Sequence, residues 1–455
     1  MKHLSIHLRG PFTSLYDEVG LRRDFRRSLN FIFLGNLCGT IFGIVCGSGT
    51  TAMVGLASSL GAKDLHFGII AALMQASALL QIPFSMLVSR THKRKKYLLT
   101  YGLISRAVWL IFGLIPILIP SSPGWLRLYS LIFLVGISSF MGSAINVCWF
   151  PWFSDLAPLS IRGRWLSHRD TVISVVSVGM GLVIAWLLDT LPPQSRYIII
   201  FLVGGAFGMM DMINFGFCTE VYNTPPSKLR IRSVMKSMLK DRPFVHFLIM
   251  WTAWCFTANM GGVYMTPYAM NVMGLNAMQI MIFATIAGSV ATVLCINRWG
   301  VAMDRYGCRS VMMITCIVAS LTPAFYLLQT KGSIWPTLLH NFIGAAFWCG
   351  ANLAANSMQL SSSPDDLRPT YIAVFSSVTA LVGGTLGSLA GGTLLDMCES
   401  HGWFTGWFDR YKALFLLEVI LRLGFVMILV PRLSNDKEGS ARDLLKNMIP
   451  GKKKA

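Results

Sequence analysis

Residues 300–309 read GVAMDRYGCR, a short charged stretch between apolar runs that begin near residues 275 and 308. Two long apolar runs joined by so brief a polar reversal make a pair of antiparallel membrane helices. The residue types suit the turn. Gly307 permits a tight reversal, and Gly300 lets two helices approach closely. Asp304 is placed to cap a neighbouring helix N-terminus, while Arg305 and Arg309 stay at the lipid surface.

Outward from this pair, ten more runs begin near residues 29, 65, 97, 126, 168, 197, 243, 334, 369 and 411. Each is about 20 residues or longer, enough to cross about 30 Å of hydrocarbon as a helix. With 54% apolar residues and a mean hydropathy of +0.58, the composition excludes a soluble globular class. The runs are continuous rather than alternating, which selects helices over a barrel. Counted from an inside N-terminus, the inside segments hold 30 Lys and Arg and the outside loops 6, with Arg106, Arg298 and Arg422 inside runs. That asymmetry predicts both termini in the cytoplasm. It also accounts for the net charge of +19 without a nucleic-acid partner. The ten cysteines lie mostly within runs and form no Cys-x-x-Cys pair, so no metal or other cofactor is expected. The first 28 residues are polar, and no cleavable signal is visible.

The chain repeats itself. Asn146, Pro158 and Arg162 recur as Asn352, Pro364 and Arg368, 206 residues on. Arg196-Tyr197-x-x-x-Phe201 recurs as Arg410-Tyr411-x-x-x-Phe415, and the loop glycine Gly61 as Gly274. These matches, all in one order, predict two six-helix halves in the same orientation, residues 29–218 and 243–432. Residues 219–242 then form a cytoplasmic linker in which Leu229, Ile231, Val234, Met235 and Leu239 give a basic amphipathic helix. That helix, the tail 1–28 with LRRDFRRSL at 21–29, and the basic tail 433–455 are expected to meet an anionic inner leaflet.

GVAMDRYGCR resembles the G-x-x-x-D-R-x-G-R-[RK] signature of the major facilitator superfamily, and twelve runs in two parallel halves fit the same family. The resemblance implies an all-α membrane fold and a latch at the cytoplasmic gate made by Gly300, Asp304, Arg305, Gly307 and Arg309. The matching first-half loop, SMLVSRTHKRK, has Ser89 in place of the aspartate and keeps Arg90 and Arg94. DLAPLSIRGR, with Asp155, Pro158, Arg162 and Arg164, is similar to the D-x-x-P-x-x-x-R-G-R loop of many members. Its partner SSSPDDLRP supplies Asp365, Asp366 and Arg368, and charge pairs between the halves are expected to make the gate bistable. Gly383, Gly387 and Gly391, answered by Ser177, Gly181 and Ala185, form small-residue stripes suited to sliding or to tight static packing. The run from 168 lacks the Gly-Pro pair of the drug-antiporter signature.

Arg106, Asp211, Glu418 and Arg422 are ionisable groups deep in runs, costly unless paired or wetted. Glu418 and Arg422 are one turn apart and suit a mutual pair. Asp211 has no sequence-local partner and is a candidate proton carrier, with Arg106 or a backbone N–H as the alternative partner. Asn36, Gln75, Asn146, Asn259, Asn352 and Asn356, with Trp149, Trp254 and Trp348, supply amides and aromatic faces for a central cavity. The expectation is a monomeric, multi-pass secondary transporter of the bacterial cytoplasmic membrane. It is not an enzyme, and its substrate is a small neutral solute such as a sugar or nucleoside, with protons as candidate coupling ion. Efflux of amphipathic compounds is the alternative on the same fold. An intramembrane enzyme or a transport-dead receptor has less in its favour: no catalytic motif and no long soluble tail is present.

Overall fold

The computed structural model describes residues 12–91, 93–119, 123, 125–193, 195–220, 238–363 and 368–433. Linker residues 221–237, Asp365, Asp366 and the basic tail beyond 433 lie outside the described residues.

Twelve helical rods follow one another. Span one is Arg23–Cys46, span two runs from Asp64–Ala76 into Gln81–Thr91, and span three is Arg94–Phe112. Spans four, five and six are Trp125–Leu156, Leu159–Thr190 and Arg196–Gly216. Span seven is Arg242–Gly262, span eight runs from Ala277–Ile280 to Ala287–Tyr306, and span nine is Cys308–Leu321 extended by Thr322–Leu328. Spans ten and twelve are Trp335–Ser361 and Arg410–Leu429, and span eleven runs from Arg368–Val378 to Gly387–Ser400. Among the described residues, nine rods are long and apolar enough to cross a bilayer on composition alone; spans three, seven and ten are the others. Those three carry Arg106, Asn259 and the His340–Asn352 face, polar groups that need a protein interior.

Local chemistry sets the ends. Pro158 stands at the start of span five after the break that follows Leu156, Asp241 caps span seven, and Asn276 with Gln279 forms a capping box on span eight. Gly307 turns the chain between spans eight and nine at φ 82°, where a side chain would be strained.

Each half is a six-helix bundle. Span six packs on spans one and three in the first; span ten packs on eight and nine, and span seven on eleven and twelve, in the second. Span eleven lies so close to span seven that a Cβ at Gly387 or Gly391 would strike the Phe256 or Met260 carbonyl. The Gly383-Gly387-Gly391 stripe is thus static packing within one half. Gly181 of span five, by contrast, faces Met281 of span eight across the seam between halves.

Residues 12–21 of the N-terminal tail pack onto the first half. Thr13–Glu18 is a short helix, and Phe12, Leu15, Tyr16 and Leu21 are buried against Trp152, Phe153, Ile161 and Trp165 at the turn between spans four and five. Phe12 stacks on Trp165 at 5.3 Å, and the Trp165 indole N–H donates to Tyr16 Oη at 3.1 Å.

Candidate functional site

A cavity of about 830 Å³ opens between span five and spans seven, eight, nine, ten and twelve of the second half. Asn259, Trp348, Asn352, Glu418 and Arg422 border it, joined by His340 and Asn341, which sequence reasoning missed. Their signal was present: His340, Gly344, Trp348 and Asn352 recur every four residues along one helix face. Glu418 is fully buried, with Oε1 3.2 Å from Arg422 Nη1. The Arg422 guanidinium lies 4.8 Å over Trp254 and 5.5 Å from Trp348, and these two indoles stack at 5.4 Å. The pair exists because span seven has glycine where it passes: a Cβ at Gly261 would overlap the Glu418 carboxylate.

The first half treats its charges differently. Arg106 Nη2 pairs with Asp211 Oδ2 at 3.2 Å, and its guanidinium sits 3.9 Å over Phe42. Arg106 and Asn146 border a separate cavity of about 210 Å³. Asn146 and Asn352, expected on one surface, are therefore apart, because the first half fills its interior with Phe42 and the Arg106–Asp211 pair. Other expected cavity residues also lie elsewhere. Trp149 stacks on Phe153 with Arg169 over it at 5.0 Å, and Gln75 packs against Gly384 of span eleven. Asn36 has a buried Nδ2 without a hydrogen-bond partner, and neither it nor Asn356 borders the large cavity.

One end of the cavity is sealed. Among the described residues, the hydrogen bonds that cross between halves lie toward the face opposite the N-terminal helix. Asp189 of span five accepts from the Ala277 and Met278 N–H groups at 3.0 and 2.9 Å, and Asp396 of span eleven accepts from Leu65 N–H at 3.3 Å. The two aspartates end matching Leu-Leu-Asp triplets, 187–189 and 394–396, and each caps a helix of the other half. Asp64 also receives Arg410 at 3.1 Å and the Tyr411 hydroxyl, and Asn271 donates to Ser58 at 3.0 Å.

The gate loops at the N-terminal-helix face are arranged otherwise than expected. Asp155 pairs with Arg94 at 2.7 Å, both well buried and both in the first half. Arg164 holds Glu18 of the N-terminal helix in two bonds of 2.8 Å, and Arg162 donates to the Ser154 and Ala157 carbonyls. These charges bind within one half rather than across the gate, since the halves are closed at the other face. For the same reason the close approach expected at Gly300 is absent: a Cβ there would meet nothing within 4 Å. Asp304 and Arg305 sit in the last turn of span eight, with Arg305 5.3 Å from the Tyr306 ring, and Arg309 begins span nine. The side chains of Arg90 and Arg368 are not described.

Residues 35–388 match the family model described as Major Facilitator Superfamily. The chain belongs to the major facilitator superfamily. A search of curated proteins finds no match. Solved structures of the same fold include the nucleoside transporter NupG, at TM-score 0.69 and 11% identity over 90% of this chain and 100% of that one. An auto-inhibited POT family peptide transporter gives TM-score 0.70 and 12% identity over 91% and 99%, and a D-xylose-proton symporter 0.65 and 13% over 92% and 100%. At these identities the likeness concerns the fold. This facilitator is a multi-pass membrane protein and a secondary transporter of small molecules, not an enzyme.

Proposed function

We propose that the transporter carries a small polar organic solute of the sugar or nucleoside kind, by alternating access and with protons as coupling ion. The observation that carries the reading is the cavity between the halves, where Trp348, Asn259, Asn352 and the Glu418–Arg422 pair meet and which ends at a sealed face. A ring face and hydrogen-bonding side chains in one cleft suit such a solute. Carriers of nucleosides, peptides and D-xylose share the fold, so a polar organic cargo fits it. The excess of Lys and Arg in alternate loops favours a cytoplasmic N-terminal helix, so the conformer faces inward in the bacterial cytoplasmic membrane. The protein works as a monomer, its basic tails and linker on the anionic inner leaflet. Aspartate 304 and its loop, Gly300 to Arg309, latch the inner gate when the halves close there.

The test is thermal unfolding of the purified protein against sugars, nucleosides, amino acids and lipophilic cations. A ligand at 100 times its Kd stabilises by about 2.7 kcal/mol. Stabilisation by one polar class, followed by its uptake into proteoliposomes with a proton gradient, supports the reading. Stabilisation by lipophilic cations alone replaces it with efflux of amphipathic compounds.

A further inference from the structure

Many side-chain donors on the cavity wall are held by carbonyls of their own helices. Asn259 Nδ2 donates to the Cys255 carbonyl and Asn341 Nδ2 to the Thr337 carbonyl, each at 2.8 Å. A carbonyl can only accept, so each amide must give its NH2 to the backbone and keep its Oδ1 for other partners. The hydroxyls of Ser174, Ser289, Thr292 and Thr322 donate to carbonyls of their own helices at 2.7, 2.8, 3.0 and 3.0 Å, which leaves oxygen lone pairs. Glu418 adds two acceptors. It is fully buried, and neither Oε has a hydrogen-bond partner despite the ionic contact with Arg422. Arg422 is turned toward the Ala319 carbonyl at 3.4 Å and the two indoles. Against these acceptors stand the unpartnered Arg422 Nε and, in the tautomer that protonates it, His340 Nδ1.

We propose that the solute presents an N–H-bearing edge, an amino or amidine group, to Glu418, and that this donor edge decides what the cavity admits. The inference rests on the polar-solute reading above and narrows it. A buried carboxylate without hydrogen bonds is costly, and a donor on the solute removes that cost. A hydroxyl can also donate to Glu418, but with its one proton it brings two lone pairs to a wall already rich in them. An amino group brings two or three N–H bonds for Glu418 and the amide oxygens, and a ring attached to it meets Trp348.

Matched probes test this: adenosine against purine riboside, glucosamine against glucose, benzylamine against benzyl alcohol, each titrated calorimetrically into the full-length protein in detergent. The amino member of at least one pair binds tenfold or more tighter, and Glu418→Gln erases the difference in a variant that still folds cooperatively. Should that variant not fold, Asn259→Ala carries the test, weakening the amino member and sparing its counterpart. Equal binding within the pairs overturns the donor-edge inference and leaves the polar-solute reading intact. Binding by none of the six probes, with lipophilic cations binding, overturns both.

Discussion

Asp189 and Asp396 offer the most direct test of what holds the sealed face shut. Each aspartate accepts backbone N–H groups at the start of a helix of the opposite half, Ala277 and Met278 in one case and Leu65 in the other. Removing an N-cap acceptor costs about 1 kcal/mol, toward the modest end here because Asp189 is exposed. These caps cross the seam between halves, so they exist only when this face is closed. Their free energy enters the conformational equilibrium rather than the stability of either bundle. Asp189→Ala should then raise the ratio of open to closed at this face about fivefold. The two caps share no partner, so the double variant Asp189→Ala/Asp396→Ala adds to about 2 kcal/mol, roughly 30-fold. Spin labels on spans five and eight at this face report the distance distribution, and the long-distance population should grow in that order. An unchanged distribution in the double variant, or a fall in unfolding temperature of the same size without opening, would refute the latch.

Other outcomes follow from packing and charge. Arg94 and Asp155 are 4% and 11% exposed, so Arg94→Ala leaves a buried carboxylate and costs about 3–5 kcal/mol in detergent melting, whereas Arg94→Met with Asp155→Leu recovers most of it. Gly391→Ala drives a methyl into the Met260 carbonyl and should lower stability by about 1–3 kcal/mol, measured the same way; Gly300→Ala, which meets nothing in this conformer, should not. Arg164 holds the Glu18 carboxyl below its usual 4.5. A lowered folded value means this bond's contribution is present above pH 4.5 and lost as the pH falls through the lowered value. The protection factors of residues 13–18, with the intrinsic pH dependence of exchange divided out, should therefore fall in that acidic window, and Arg164→Gln should abolish the dependence.

The sequence by itself determined the twelve rods, their pairing into repeats and the family, because hydrophobic length, loop charge and a glycine at φ 82° are local properties. It also brought Glu418 and Arg422 together, since a four-residue spacing on a helix is a contact. Partners far apart in the chain were beyond it. Arg94 and Asp155 are 61 residues apart and Arg106 and Asp211 are 105 apart, and nothing in spacing says which arginine meets which carboxylate. Nor did it say that Asn352 borders the large cavity while Asn146, its repeat, does not. That choice depends on Phe42 and an ion pair filling one half and Gly261 making room beside Glu418 in the other. Which face is sealed was likewise a tertiary decision. The repeats build potential contacts at both ends of the bundle, and two rigid halves about one seam close only one end at a time.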